Sequence, residues 1–233
     1  MTEDSSRAEL LQKARSHLSS VDPVLARLIA ERPDFDPQAW MAQLPPMDLY
    51  GALLFQIAGQ QLSVAATRRI LGRVEAMFGG HLPSAAELLA VDPERLREAG
   101  FSWRKVGTLR DLAERLTDGR LDADVLSSLS DDELLTELTA IPGIGPWTVQ
   151  GALLIALQRE DVVLPGDLAL RRAIQVVYQL GHLPSQQEVL DIAEKWRPYR
   201  SLATSYLFSA AFEPAGAPPT GLSRNHLTKG RPR

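Results

Sequence analysis

Apolar residues recur along the chain at the three- and four-residue spacing of amphipathic helices, and no stretch shows the alternation of a half-buried strand. The strongest patterns are Leu49 to Gln61 and Trp147 to Gln158, the second being apolar nearly all round. A helix with apolar residues on most sides is buried on most sides. The pattern predicts an all-α fold of about ten helices.

Capping residues and prolines mark where these helices begin. Asp22-Pro23 places an N-cap before a first-turn proline, and Ser130 with Glu133 forms a capping box that opens a helix over about 131–140. Gly-His-Leu-Pro-Ser occurs at 80–84 and again at 181–185, each time with a glutamate three residues after the serine. Glycine ends one helix, proline blocks its continuation and the capping box starts the next, so we interpret the repeat as one local solution used twice.

A turn rich in glycine and proline, Ile-Pro-Gly-Ile-Gly-Pro at 141–146, lies between two predicted helices. Pro142 ends the first helix, and Pro146 suits the first position of the second. Gly143 and Gly145 can adopt positive φ and leave no side chain between the backbone and a ligand. Backbone amides at such a helix start favour a phosphate oxygen. The alternative is an ordinary helix connection, in which both residue types are common.

An aspartate opens a later helix. Pro165-Gly166 leads to Asp167, after which LALRRAIQVVYQL has the pattern of an amphipathic helix ending at Gly181. N-capping is the most common use of such an aspartate. A carboxylate has two oxygens, so capping is compatible with catalysis as well.

The corner Gln60-Gln61-Leu62 falls between two predicted helices. If exposed, these side chains could enter a minor groove and fill the space of an extruded base, as wedge residues do. The alternative is that Leu62 packs inward and the glutamines are solvated.

Composition restricts the classes of protein. A chain of 233 residues with 45% hydrophobic residues is long enough for one large or two small domains. The N-terminus is polar and the longest apolar run, Gly151 to Leu157, is too short to cross a bilayer, so we expect no secretory signal and no membrane partner. The absence of cysteine excludes disulfides, thiolate zinc sites and iron–sulfur clusters, and the four histidines lack metal-ligand spacing.

The net charge of −4 is unusual for a nucleic-acid binder. Its distribution weakens this objection, because acids concentrate between Asp111 and Glu137 while basic residues cluster elsewhere. The clusters are Arg68, Arg69 and Arg73; Arg104 and Lys105; Arg171 and Arg172; Arg197 and Arg200. A modest basic stripe on an acidic body predicts weak, salt-sensitive DNA binding.

Four stretches together resemble the helix-hairpin-helix superfamily of base-excision DNA glycosylases, and within it the alkylpurine (3-methyladenine type) branch. They are Ile-Ala-Gly-Gln-Gln-Leu-Ser at 57–63, Ile-Pro-Gly-Ile-Gly-Pro-Trp-Thr at 141–148, Leu-Pro-Gly-Asp at 164–167 and Trp-Arg-Pro-Tyr-Arg-Ser at 196–201. They occur in the family's order and cover most of residues 20–212. One departure is the loop order, which is Gly-Pro-Asp in the family and Pro165-Gly166-Asp167 here.

The resemblance implies an all-α fold of two helical subdomains flanking a DNA-binding cleft. We expect one subdomain at 48–148 and a second formed by 1–47 with 149–212, the helix-hairpin-helix motif at 131–158 spanning the junction. The basic, Pro- and Gly-rich residues 213–233 are expected to be a disordered tail.

The resemblance also assigns site residues. Asp167 takes the catalytic role. Independently of the resemblance, the position of Arg171 one turn along predicts that it keeps Asp167 ionised. Gly143, Ile144 and Gly145 form the DNA-binding hairpin, whose carbonyls at 140–145 are the expected site of a monovalent cation; no cofactor is expected. Gln61 takes the wedge role with Gln60 and Leu62 beside it, and Trp147 and Tyr199 line the base pocket. The other large aromatics, Trp40, Trp103 and Trp196, are expected in the core.

These residues imply a monofunctional DNA glycosylase that flips out and excises alkylated purines, such as 3-methyladenine and 7-methylguanine, in base-excision repair. Bifunctional members use a lysine just after the hairpin, and Trp147 occupies that place, so we expect no strand cleavage. The expected partner is double-stranded DNA with alkylated bases, bound by an intracellular, nucleoid-associated monomer. A glycosylase for an oxidised or deaminated base and a non-catalytic damage-binding protein are the alternatives.

Overall fold

The computed structural model describes residues 3–37, 39, 44 and 47–212. Within these ranges the chain forms thirteen helices and no strand, which confirms the predicted all-α class. The helices are α1 (Glu3–Val21), α2 (Pro23–Glu31), α3 (Leu49–Gly59), α4 (Val64–Met77), α5 (Ala85–Ala90), α6 (Pro93–Ala99), α7 (Trp103–Thr117), α8 (Ala123–Ser128), α9 (Asp131–Thr139), α10 (Pro146–Ile155), α11 (Leu168–Val177), α12 (Gln186–Glu194) and α13 (Arg200–Phe212). The expected tail at 213–233 and the core position expected for Trp40 lie outside the described residues.

Capping chemistry sets the helix starts as the sequence predicts. The Asp22 side chain accepts hydrogen bonds from the Val24 and Leu25 amides at the start of α2. Complete capping boxes open α5, α9 and α12, formed by a serine and the glutamate three residues later. The two Gly-His-Leu-Pro-Ser segments therefore do form the same helix start.

The chain divides into two compact units. Pro46–Gln158 forms the hairpin unit, which holds α3 to α10. Met1–Pro45 and Arg159–Arg233 together form the Asp167 unit, which holds α1, α2 and α11 to α13.

In the hairpin unit, α3 packs against α10, α4 and α7, while α9 packs against α10. Leu53, Leu54 and Ile57 of α3 are buried in this core. Gly151 permits the close approach of α10, because a Cβ there would lie 2.4 Å from Gln56 Nε2.

In the Asp167 unit, α13 packs against α11 and α2, and α1 packs against α2. Trp196 is fully buried in this core, as predicted. The same prediction for Trp103 is wrong, because its side chain is 53% exposed. Trp103 is the first residue of α7. The Arg97 guanidinium lies 5.3 Å from the centroid of its ring, so the indole packs against a cation and not against the core. Among the described helices none has the length and apolarity needed to span a membrane.

Candidate active site

The turn between α9 and α10 has the hairpin geometry that the glycines predict. The Ile144 amide donates to the Ile141 carbonyl at 3.0 Å, and Gly143 adopts φ 94°. Gly145 is the N-cap of α10 with φ −109°, so of the two glycines only Gly143 adopts the positive φ that both can adopt. No side-chain hydrogen bond caps α10, and the Thr148 amide in its first turn donates to the Gly145 carbonyl at 2.9 Å. Ile144 itself is buried, so only its backbone can serve a ligand.

Gly143 is held in the turn by its fit to α7. A Cβ at Gly143 would lie 2.0 Å from Thr108 Oγ1. That hydroxyl lies 2.9 Å from the Pro142 carbonyl and 3.0 Å from the Arg104 carbonyl, both hydrogen-bond acceptors. Glycine is therefore required here by packing as well as by φ.

The corner after α3 exposes two of its three predicted wedge residues. Gln61 is exposed and adopts φ 60°, and Leu62 is 37% exposed. Gln60 is half-buried, and its Nε2 donates to the Gly143 carbonyl and to Thr148 Oγ1, each at 3.0 Å. Gln60 is thus bonded to the hairpin.

Lys105 binds the same corner from α7. Its Nζ donates to the Ala58 carbonyl at 2.8 Å and to the Gln60 carbonyl at 2.9 Å. Burial lowers the pKa of the Lys105 ammonium below its ordinary value. These carbonyls end α3, where an ammonium is also favoured by the helix dipole.

The basic clusters are only partly available to a phosphate. Arg197 and Arg200 form ion pairs with Asp161 at 2.6 and 2.7 Å, so the contribution expected of them to a basic stripe is wrong. Their partner lies far away in sequence, which is why the pairing was not predicted. Arg68, Arg69, Arg104 and Arg172 are exposed.

Asp167 is the N-cap of α11 and is half-buried. Its Oδ1 accepts from the Leu170 amide at 2.8 Å, and its own amide donates to the Leu164 carbonyl at 3.0 Å. Arg171 Nε donates to the Pro184 carbonyl at 2.6 Å, which fixes that side chain against the start of α12. Whether Arg171 also keeps Asp167 ionised stays a prediction.

The segment leading to Asp167 is anchored on α13. Val162, Val163 and Leu164 are buried, and the Val162 amide donates to Ser201 Oγ at 3.0 Å. Ser201 Oγ in turn donates to the Arg159 carbonyl at 2.6 Å. The Arg-Ser of the Trp-Arg-Pro-Tyr-Arg-Ser motif thus clamps the loop at 159–162, Arg200 through Asp161 and Ser201 through the backbone.

The two predicted pocket aromatics lie in different units, Trp147 in the hairpin unit and Tyr199 in the Asp167 unit. Both are half-buried. Tyr199 packs edge-on against His17, with ring centroids 5.5 Å apart.

No group of three or more His, Cys, Asp or Glu side chains that could hold a metal ion occurs in the part of the chain that the structure describes. In the hairpin, the carbonyls of Ile141, Pro142 and Gly143 each accept a hydrogen bond. A carbonyl has a second lone pair, so a monovalent cation at 140–145 stays a prediction.

The fold, the hairpin and the aspartate-capped helix define a helix-hairpin-helix DNA repair protein. The sequence model of the HhH-GPD superfamily of base excision DNA repair proteins matches residues 55–198, and the chain belongs to this family. DNA-3-methyladenine glycosylase 1 of Schizosaccharomyces pombe is 33% identical over 203 residues, which cover 86% of this chain and 88% of that protein.

Two solved structures of similar proteins cover most of the chain. The S. pombe 3-methyladenine DNA glycosylase in complex with abasic DNA has a TM-score of 0.78 and 32% identity, covering 85% of this chain and 96% of that one. The DNA-3-methyladenine glycosidase of Bacillus halodurans has a TM-score of 0.63 and 33% identity, covering 82% of this chain and 89% of that one.

Sequence reasoning missed the polar side chains that hold the corner and the hairpin. Lys105, Thr108 and Thr148 bond to groups 34 to 88 residues away in the chain. No periodicity or local motif reports contacts at such separations. From the sequence, Gln60 is recognisable only as a polar residue in the corner between two helices. The two hydrogen bonds that its amide nitrogen donates could not be predicted.

Proposed function

We propose that this protein is a monofunctional DNA glycosylase that extrudes alkylated purines from duplex DNA and hydrolyses the bond between base and sugar. Family membership and the similarity to 3-methyladenine glycosylases support this function. The observation that carries the proposal is the carboxylate of the half-buried Asp167, fixed at the start of α11 by its bond to the Leu170 amide.

Binding begins at the DNA backbone. The start of α10, which no side-chain hydrogen bond caps, offers its helix dipole to a phosphate oxygen. The exposed Gln61 and Leu62 side chains enter the minor groove and occupy the space of the extruded base. Extrusion costs a few kcal/mol, and these contacts offset that cost.

Asp167 then assists bond cleavage. A purine alkylated at a ring nitrogen such as N3 or N7 is cationic and departs readily with the bonding electron pair, so little general-acid help is needed. Positive charge develops on the sugar, and the fixed Asp167 carboxylate stabilises it. Water adds to the same carbon, and Asp167 can orient it or accept its proton.

Aromatic side chains are proposed to contact the base itself. Trp147 and Tyr199 are the proposed pocket residues, because a cationic ring gains cation–π attraction from an aromatic face. Trp147 also occupies the place of the lysine that bifunctional members use, so the reaction should leave the strand uncut.

The test compares Asp167→Asn with the wild-type protein on methylated duplex DNA. Asparagine caps a helix as well as aspartate does, so α11 should persist while the charge is lost. We expect the wild-type protein to release free methylated purines without cutting the strand. We expect Asp167→Asn to lose about 100-fold or more in single-turnover rate and to keep its DNA affinity.

Asp92→Asn is the matched control, because Asp92 also caps a helix and has no proposed catalytic role. Its excision rate should equal that of the wild-type protein. Excision that survives Asp167→Asn would contradict the catalytic assignment. Duplexes with oxidised or deaminated bases, run in parallel, test the alternative of another lesion.

The remaining features follow from this function. A repair enzyme of this kind acts on chromosomal DNA, so we place it inside the cell, at the nucleoid. We propose that it acts as a monomer on duplex DNA. With no cysteine it has no thiolate ligands for an iron–sulfur cluster.

A further inference from the structure

The Gln60 side chain contacts the hairpin, unlike the side chains of the two residues that follow it. Both hydrogen bonds of its amide nitrogen are made to the hairpin region, to Gly143 and to Thr148. Thr148 is buried on α10, so this contact is sheltered from solvent. Gln61 and Leu62, next in the chain, are exposed. The corner therefore has an inward anchor followed by an outward tip.

Helix α7 is bonded to both the corner and the hairpin. Lys105 binds the backbone of the corner, and Thr108, three residues further along, binds the Pro142 carbonyl of the hairpin. Residues three apart lie on one face of a helix, so one turn of α7 holds both elements. Corner, hairpin and α7 are thus bonded in all three pairs, a set that we call the polar triangle.

The tip that this triangle supports has an unfavourable backbone conformation. Gln61 adopts φ 60°, which residues with a side chain rarely do. Such a conformation persists where surrounding contacts over-determine it, and it is frequent at functional sites. The bonds of Lys105 to Ala58 and Gln60 lie immediately before this residue.

We propose that Gln60 is a positioning residue that sets the spacing between the groove-entering tip and the phosphate-binding hairpin. With this spacing fixed before DNA binds, a phosphate held at the hairpin determines where Gln61 and Leu62 enter the groove. Binding energy is then not spent on ordering the tip. The inference rests on the proposed function, because it assigns roles to the tip and the hairpin.

The test uses Gln60→Leu, which lacks donors, and Gln60→Asn, which keeps an amide but is one methylene too short for both acceptors. Three quantities are measured: affinity for undamaged duplex, affinity for a duplex with an abasic-site analogue, and single-turnover release of methylated bases. The hairpin's phosphate contacts remain, so affinity for undamaged duplex should stay within about twofold. Preference for the abasic duplex should be lost and base release should fall about 10- to 100-fold, because the tip is misplaced.

A second pair of variants tests the other end of the bond. Thr148→Val removes the hydroxyl acceptor with little change of shape and should reproduce part of the loss. Thr148→Ser keeps the hydroxyl and should restore wild-type values. Gln187→Leu, at an exposed glutamine on α12, is the matched control and should change none of the three quantities.

Two results would overturn the proposal. One is an unchanged preference for the abasic duplex in Gln60→Asn and Thr148→Val. The other is an equal fall of both affinities together with the melting temperature, which indicates a general role in folding. Failure of the proposed function would give a different result, because the wild-type protein itself would then release no methylated base. The ratio of the affinities for abasic and undamaged duplex would still test the role of Gln60.

Discussion

At the scale of single residues, the two hairpin glycines serve different physical purposes. Gly143 fits against the Thr108 hydroxyl with positive φ, whereas Gly145 has ordinary backbone and no atom within 4 Å of the place a Cβ would take. The first glycine is required by the interior of the protein. The second leaves room on the side where a phosphate is proposed to approach.

Gly143→Ala should therefore lower the free energy of unfolding by about 2 kcal/mol or more, from strain at positive φ and overlap with Thr108. Thr108 cannot rotate away without losing its bonds to Pro142 or Arg104. Urea denaturation measures the change. Gly145→Ala is the control and should be nearly as stable as the wild-type protein; equal stability of the two variants would contradict the fit described for Gly143.

At the scale of elements, the start of α13 supports the segment that leads to Asp167. Ser201 accepts from the Val162 amide and donates to the Arg159 carbonyl, and Arg200 pairs with Asp161. Because Val162 is buried, its amide cannot readily bind water in place of the Ser201 oxygen. The motif at 196–201 thus contributes structure to the site beyond the one pocket aromatic assigned to it.

Ser201→Ala should destabilise the protein by about 1 to 2 kcal/mol, since a buried amide loses its partner. Base release should slow because the loop before Asp167 is less well held. Ser205→Ala, one turn along α13, removes only a bond to the helix's own carbonyl at Ser201 and is the control. Thermal melts and single-turnover assays compare the two variants. If Ser205→Ala also released bases more slowly than the wild-type protein, the effect would not be specific to the loop.

Local signals predicted the elements better than they predicted the site. Asp22, Ser130 and the two repeated segments were readable because a cap acts within three residues of itself. Trp103 was misjudged because a large apolar ring suggests burial, while the covering Arg97 guanidinium depends on how α6 and α7 pack. The sequence assigns Lys105 to a basic cluster with Arg104, since nothing near it in sequence indicates that it binds the α3 carbonyls.

At the scale of the whole molecule, one buried carboxylate joins the two chain segments of the Asp167 unit. Asp22 Oδ2 accepts hydrogen bonds from the Tyr178 hydroxyl and, at 2.9 Å, from Trp196 Nε1, and Lys195 Nζ lies at 3.1 Å. Burial alone would raise the pKa of Asp22, yet the hydrogen bonds from Tyr178, Trp196 and Lys195 hold it below its ordinary value. Residues before the hairpin unit are thereby fastened to residues after it.

Asp22→Asn should lower the free energy of unfolding by about 3 kcal/mol at pH 7, because Lys195 loses its charge partner and an amide nitrogen would face donors. The folded pKa of Asp22 is lowered, so the stabilisation is fully present well above its unfolded pKa of about 3.9 and is lost as pH falls through the folded value. Urea denaturation from pH 7 to pH 3 should show the deficit shrinking as the pH falls below about 3.9. Asp34→Asn, at an exposed aspartate, is the control, and a deficit independent of pH would argue against the ionised network.

The twin Gly-His-Leu-Pro-Ser segments have a meaning for protein design. In both copies the five residues run exposed, exposed, half-buried, buried, exposed, and the histidine pairs with the glutamate that completes the capping box. The copies lie in different units and precede different helices, α5 and α12. The glycines differ, since only Gly80 adopts positive φ, but the part from the histidine to the glutamate forms the same capped helix start in both places, which makes it a transferable segment for beginning a helix.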